Sequence, residues 1–465
     1  MRSELRAGLL AVALGLMTSC APSADHRLLV VSTDDVQGKT SPCGCHTPKG
    51  GLARRATFLD SVRTKHRDVL VVDAGNFFPA TEDEREAGPF MLASMARLGT
   101  QVAGVGGNDL RFGYSFLHEH ARAAGIPLVS TNLVRFDTGI PAFEGWRMVT
   151  VGRTKVGVFG LFSESEDLGP ARDTLRADSP APAARKAIAA LRADGAQVIV
   201  LLSQLGKAES ESVAVRAPGI DLVIAGGGTP ALLGAVTAGG ATVIHGGNQG
   251  WQVGVADVKL TREGKVADID GQTVVLGPEV RNQTDMIVRV KAFEDSLNAH
   301  LRARDASLGA APRPGAQVPH FVGMANCVKC HATEYAQWRT SAHAHAWKTL
   351  ADQHKESTPT CVPCHVTGYR KPGGFRTADD GAQFGNVQCE ACHGMGTSHH
   401  DWSENGAPPV SQAICRTCHT STTSPTFDFA LYRPHVLHRP PAGLKPLPET
   451  PAHKLMREGK APHGL

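Results

Sequence analysis

Four runs in the last third of the chain repeat one pattern of reactive side chains. They are Cys327-Val328-Lys329-Cys330-His331, Cys361-Val362-Pro363-Cys364-His365, Cys389-Glu390-Ala391-Cys392-His393 and Cys415-Arg416-Thr417-Cys418-His419, and they use eight of the eleven cysteines. Two thiols three positions apart can add to the two vinyl groups of one porphyrin, and the next residue brings an imidazole beneath the iron. A zinc ribbon needs paired cysteine knuckles but no histidine after each. A disulfide framework has no use for a histidine at that place either. The pattern therefore predicts four haem c groups. The eight cysteines would form the thioethers, and His331, His365, His393 and His419 would be the proximal iron ligands.

A second group of reactive residues lies near the start, in Pro42-Cys43-Gly44-Cys45-His46. Cysteines one residue apart are common in redox and soft-metal sites. Cys43 and Cys45 are candidate catalytic residues as a redox pair, and His46 and Lys49 are placed to lower a thiol pKa. The alternatives are two loop cysteines without a role, or a strained and reducible disulfide.

The chain has 465 residues, with 42% hydrophobic and 20% charged residues, which is globular material enough for about three domains. A net charge of +4 without a basic tract speaks against a nucleic-acid partner. Residues 1–20 read as an export signal: Arg2 and Arg6, an apolar run from Ala7 to Met17, then Met17-Thr18-Ser19-Cys20. Small residues before a cysteine match a lipoprotein cleavage site, which makes Cys20 the expected lipidation point. The alternative is a plain secretory signal with an incidental cysteine. No later stretch is long and apolar enough for a transmembrane helix.

The elements that must position these groups alternate between strand-like and helix-like runs. Leu28–Ser32, Val69–Asp73, Val102–Val105, Pro127–Ser130, Lys155–Leu161, Gln197–Leu202, Asp221–Ala225, Thr242–Ile244 and Val253–Leu260 read as strands. Gly51–Lys65, Met91–Leu98, Tyr114–Ala124 and Ala183–Arg192 read as helices. This predicts an α/β domain over 26–280, with sheet layers flanked by helices and functional groups at the carboxyl ends of strands. A helix over 284–304 and a Pro/Gly/Ala-rich stretch form a linker region, 281–319. A mainly α, loop-rich haem domain follows over 320–440, then a tail over 441–465.

The strand ends carry Asp34-Asp35-Val36-Gln37-Gly38, Gly50-Gly51-Leu52-Ala53-Arg54-Arg55, Asp73-Ala74-Gly75-Asn76, Gly107-Asn108-Asp109, Ser203-Gln204-Leu205-Gly206 and Asp221–Thr229. This series resembles the N-terminal, metal-binding domain of 5′-nucleotidases in the calcineurin-like metallophosphoesterase superfamily. The cysteine loop is similar to that of a nucleotidase-like (seleno)protein subgroup. The resemblance implies two metals, but the ligand set is altered. Asp35 and Asn108 are kept. Gln37, Asn76, Gln204, Gly227 and Thr229 stand at ligand positions, Asp109 at the catalytic histidine, and Phe112 at its acidic partner. Neutral amides, glycine and threonine cannot hold such ions or activate their water, so the expectation is a degenerate metal site.

The C-terminal part resembles the tetrahaem cytochrome c family typified by the electron acceptor of hydroxylamine oxidoreductase. The matching pieces are Val322-Gly323, Trp338-Arg339-Thr340-Ser341-Ala342-His343, Cys364-His365-Val366-Thr367-Gly368-Tyr369 and Cys389–His399. The resemblance implies His343 as a distal iron ligand. His399 and His438 are further distal candidates, with His400, His345 and His354 in reserve. Met324 and Met395 are poorly placed for that role.

The combined expectation is an exported multihaem cytochrome that transfers electrons in a respiratory or extracytoplasmic chain. It would sit in the periplasm or on the outer membrane of a Gram-negative bacterium, held by a lipid anchor. Redox proteins or quinol-linked donors are the expected partners, with a small oxidised substrate as a further one. The alternatives are an oxidoreductase working at Cys43 and Cys45 with electrons from the haems, and a residual phosphoesterase or sulfur-ester hydrolase.

Overall fold

The computed structural model describes residues 26–43, 47–230, 234–307, 318–352, 355–399, 409–420, 423–424, 426–440, 442–447 and 454. The export segment with Cys20, and also Cys45, His46, His354 and His400, lie outside the described residues.

The first half of the sheet domain contains β1 His26–Thr33, α1 Leu52–Lys65, β2 Val69–Asp73, α2 Ala87–Arg97, β3 Val102–Ala103, α3 Tyr114–Ala124 and β4 Leu133–Arg135. The second half contains β5 Trp146–Val151, β6 Thr154–Phe162, β7 Leu175–Ala177, α4 Pro180–Ala193, β8 Val198–Gln204, α5 Gly206–Arg216, β9 Leu222–Ala225, β10 Val236–Ala238, β11 Ala241–Ile244, β12 Gln252–Leu260 and β13 Val266–Val275. One sheet has the order β13-β12-β1-β2-β3, the other β10-β11-β9-β8-β6-β5, and β4 pairs with β7 alone.

The continuous apolar strands explain the layering, because a strand buried on both faces has no polar side to offer. In β1, Leu28 and Val30 point between the two sheets and meet Val158, Val200 and Ile224 of the second sheet's inner face. Leu29 and Val31 point the other way, into the core under α1 and α2 with Leu52, Leu59 and Met91. The far face of the second sheet packs on α4 and α5 through Ala184, Ala187, Leu191 and Val213. The result is four layers: helices, sheet, sheet, helices.

Pro127–Ser130, read above as a strand, forms no ladder. Leu128 bridges Ala103 and Val129 bridges Glu144 as isolated pairs. Its neighbour β3 is two residues long, so there is no ladder for it to extend.

α6, Thr284–Ser307, forms the seam between the two halves of the chain. Phe293 stacks on Phe90 of α2 with ring centroids 4.1 Å apart. On the haem side Asn298 holds Glu356 and the Ser357 amide and Arg302 reaches Glu356, while Arg304 pairs with Asp83 of the sheet domain. Among the described residues of 318–447 there are short helices and turns and no strand. Their small core is Phe321, Leu350, Val362, Val366, Phe375 and Phe384, with Trp347 against it.

Candidate functional site

The motif histidines are met by histidines from outside the motifs. His331 faces His399 with ring centroids 6.1 Å apart, His419 faces His343 at 6.2 Å, and His393 faces His438 at 6.0 Å. An imidazole nitrogen lies roughly 2 Å from a bound transition metal, with its ring centre about 1 Å further back, so two imidazoles across one iron have centroids roughly 6 Å apart. All three distal candidates thus stand at an iron-sized gap from a proximal one. Each is paired with a histidine of a different segment.

The fourth motif histidine is arranged differently. His365 Nδ1 lies 2.6 Å from the Ala346 carbonyl and 3.1 Å from the Thr349 hydroxyl. An N–H donated to a carbonyl fixes the tautomer and frees Nε2 for a metal. No second histidine ring stands opposite His365 among the described residues.

Burial favours the neutral form of four of these imidazoles, which is the form that binds metal. His343 is pushed down to about 4, chiefly by burial and further by the neighbouring His419. Burial likewise lowers His365, His393 and His419. The motifs also pack on one another: Cys327 contacts Cys389, and Cys418 contacts Cys364. Paired imidazoles beside paired thiols fit the donor set that haem c requires.

Several residues that hold this arrangement were not singled out from the sequence. Glu390 is buried and accepts the backbone N–H groups of Val322, Gly323 and Gly396 at 2.9, 2.8 and 2.6 Å. Gln388 accepts the Met324 N–H and donates to the carbonyls of Gln383 and Gly385. The Trp338 indole donates to the Val387 carbonyl at 2.8 Å, and Asn386 accepts the Trp347 amide. A carboxylate between two cysteines of a motif was the available signal for Glu390.

In the sheet domain, the altered ligand positions meet in a hydrogen-bonded cluster at the carboxyl ends of the strands. The Asn76 side-chain amide donates to Asp35 at 2.9 Å and to Gln204 at 2.8 Å, and its oxygen accepts the Asn108 N–H at 2.9 Å. The other Asp35 oxygen accepts the Gly228 N–H at 3.0 Å. Thr229 is spent on the Gly226 carbonyl. Asp109 accepts the N–H groups of Asn76, Phe78 and Gly106, so it is a backbone clamp. Burial nevertheless pushes its carboxyl up to about 8. Phe112 packs against Phe78 and Phe116.

Asp35, Gln37, Asn76 and Gln249 all have φ between 45° and 57°. Non-glycine residues in this region carry strain, which gathers at functional sites. The glycine at 38 has no choice: a Cβ there would stand 2.8 Å from Pro79 Cβ.

Cys43 sits beside this cluster. It bridges Lys49 through the backbone, and its sulfur accepts the Trp251 indole N–H at 2.6 Å and lies 3.7 Å from Gln249 Oε1. Contrary to the expectation of a lowered thiol pKa, burial pushes Cys43 up. The indole, Lys39 and Lys355 oppose that rise.

Comparison with known proteins divides the chain the same way. A family model for cytochrome c554 and c-prime matches residues 326–394, which include the first three motifs. Cytochrome c-554 of Nitrosomonas europaea is 32% identical over 91 residues, covering 16% of this chain and 39% of that protein. The snake venom 5′-nucleotidase of Crotalus adamanteus is 24% identical over 300 residues, 58% of this chain and 50% of that protein. The crystal structure of a 5′-nucleotidase precursor from Thermus thermophilus superposes with a TM-score of 0.54 at 24% identity, over 59% of each chain. At that identity the likeness shows the fold. The chain spans half or less of the length of either curated relative. It joins a sheet domain of the calcineurin-like phosphoesterase fold to a cytochrome c554-type segment, for which haem c is the implied cofactor.

Proposed function

We propose that this chain, a cytochrome c554-type segment fused to a 5′-nucleotidase-like fold, is an exported tetrahaem electron-transfer protein whose sheet domain does not hydrolyse nucleotides. The observation that carries the reading is the set of three histidine pairs at 6.0–6.2 Å. When bound, haem c supplies a one-electron iron couple. Cys327, Cys330, Cys361, Cys364, Cys389, Cys392, Cys415 and Cys418 would hold the four groups covalently. His331 with His399, His393 with His438, and His419 with His343 would be the imidazoles that hold three of the irons. His365 would hold the fourth, steadied at Nδ1 by the Ala346 carbonyl and without an opposing histidine among the described residues. Burial lowers the pKa of His343, His365, His393 and His419, which favours their neutral, iron-binding form.

Against hydrolysis stands the Asn76 amide, which occupies both Asp35 and Gln204. A two-metal centre needs those positions as anionic or imidazole ligands. Redox proteins or quinol-linked donors are the partners, and a lipid at Cys20 is the attachment to the membrane. Among the described residues no helix is long and apolar enough to cross one. The test is covalent haem per chain by pyridine haemochrome after acid–acetone extraction. Four are expected, and two or fewer would refute the reading.

A further inference from the structure

Asp83 of the sheet domain is held by two guanidinium groups at once. Arg304 of α6 donates to its Oδ1, and Arg370 of the haem segment donates to its Oδ2 at 3.0 Å. Arg304 also donates to Asp305 at 2.8 Å, so two cations and two anions form one network. An isolated surface ion pair contributes little, and networks are the exception. Asp83 and Arg304 are mostly buried, at 25% and 28% exposure. Arg370 follows closely on His365, the motif histidine without an opposing ring among the described residues.

From Arg370 a run of hydrogen bonds leads back to His365. The Arg370 N–H donates to the Phe375 carbonyl at 2.8 Å, and the Phe375 N–H to the Thr367 carbonyl at 3.0 Å. Thr367 is fully buried and gives its hydroxyl to the Asn386 carbonyl at 2.8 Å. The Asn386 N–H donates to the His365 carbonyl at 3.0 Å, and its side chain accepts the Trp347 N–H at 2.8 Å. That N–H belongs to the same peptide unit as the Ala346 carbonyl, which lies 2.6 Å from His365 Nδ1. Arg370 and Asn386 are also the two non-glycine residues of the haem segment with positive φ, 53° and 71°, among the described residues. Such backbone persists only where its surroundings over-determine it. Asp83 is part of those surroundings, and it lies in the other domain.

We propose that Asp83 is a positioning residue for the haem that His365 would hold. Through Arg370 it fixes the Thr367 and Asn386 contacts that aim the Ala346 carbonyl at Nδ1. A carbonyl that accepts the outer N–H of a ligating imidazole orients the ring and raises its basicity, and such hydrogen bonds set the potential of the iron. The inference rests on the electron-transfer reading and gives the sheet domain a part in it: the domain sets one haem from outside the haem segment.

The test uses the full-length haem-loaded protein and follows the high-spin electron paramagnetic resonance signal through a redox titration. At the parent's midpoint for that signal, the ratio of reduced to oxidised iron should rise at least threefold in Asp83→Asn. It should rise as well in Arg370→Gln, since both changes release the clamp, and the double variant should go no further than the larger single change. A bare field effect would move the two single variants in opposite directions, because one loses an anion and the other a cation. Arg370→Lys keeps the charge but not the fork. It should shift the ratio the same way, and it serves where a neutral variant loses haem. Opposite shifts, no shift, or an equal shift of the low-spin haems would overturn the proposal. If no haem is high-spin, the assignment at His365 fails and takes the clamp with it; if one is and its ratio does not move, the clamp alone falls.

Discussion

His393 and His438 stand ring to ring, with centroids 6.0 Å apart and planes within 19°. One belongs to the third attachment motif, the other to a turn near the end of the described chain. Nothing in their chemistry draws two imidazoles together across such a gap, since both carry the same partial charges. A shared metal axis gives the spacing a cause, and two further pairs repeat it.

Removing a distal histidine should open one iron without releasing its haem, because the cysteines hold the porphyrin. His343→Ala is expected to convert one haem in four from low to high spin, with haem content unchanged. His345→Ala is the control and should leave the spectrum as it was. Magnetic circular dichroism reads both. An unchanged spectrum for His343→Ala would remove it from the axial set.

Asn76→Asp should destabilise the sheet domain. The change replaces two donated hydrogen bonds, at 2.9 and 2.8 Å, with carboxylate oxygens facing Asp35 and Gln204. The expected loss is about 2–4 kcal/mol, from unsatisfied buried groups and like-charge repulsion, read as a lower urea midpoint. The parent should turn over no nucleotide with manganese or zinc. Chelator-sensitive turnover would refute the account of this cluster.

Asp73 provides a pH test. It is buried, and burial raises its carboxyl from 3.8 to about 6, with the Thr33 hydroxyl at 2.5 Å opposing the rise. A raised carboxyl pKa means the folded state keeps a proton that the unfolded chain releases. Its stability contribution is therefore full below the unfolded value and is lost as pH rises through the folded one. Asp73→Asn removes this dependence while its amide can still serve Thr33 and Gly75. The stability of the parent relative to Asp73→Asn should fall by up to about 3 kcal/mol between pH 3.5 and 7. Parallel urea midpoints across that range would contradict it.

Glu390→Ala should unfold the haem segment more readily than any motif-flanking surface change. It leaves the amides of Val322, Gly323 and Gly396 without their acceptor. A buried donor left unsatisfied costs about 1–3 kcal/mol, so the expected loss is at least 3 kcal/mol. A loss under 1 kcal/mol would show that the carboxylate is not the clamp.

What can be read in advance follows from locality. Attachment motifs are contiguous, so Cys327–His419 stand out at once, and the continuous strands β1, β2 and β8 are apolar for a reason visible in one window. The histidine pairs are not local, and His399 and His438 can be named only as candidates without their partners. The edge strands β5 and β13 escape such a window because their mixed exposure, unlike the buried run of β8, breaks the apolar signal. The thiol environment of Cys43 is misleading when judged from its neighbours in sequence. Its cations, Lys39 and Lys355, come from the loop before it and from the other domain. Asp109 sits where a catalytic group would, yet its three backbone hydrogen bonds emerge only once the loops of Asn76 and Gly106 fold against it.

The most direct test of the central claim is haem count and spin state on one preparation of the full chain. Pyridine haemochrome gives the count, and low-temperature electron paramagnetic resonance of the oxidised protein gives the ligation. The account predicts four covalent haems, three low-spin with two imidazoles each and one high-spin at His365. Two or fewer haems, or four haems with more than one high-spin iron, would contradict it.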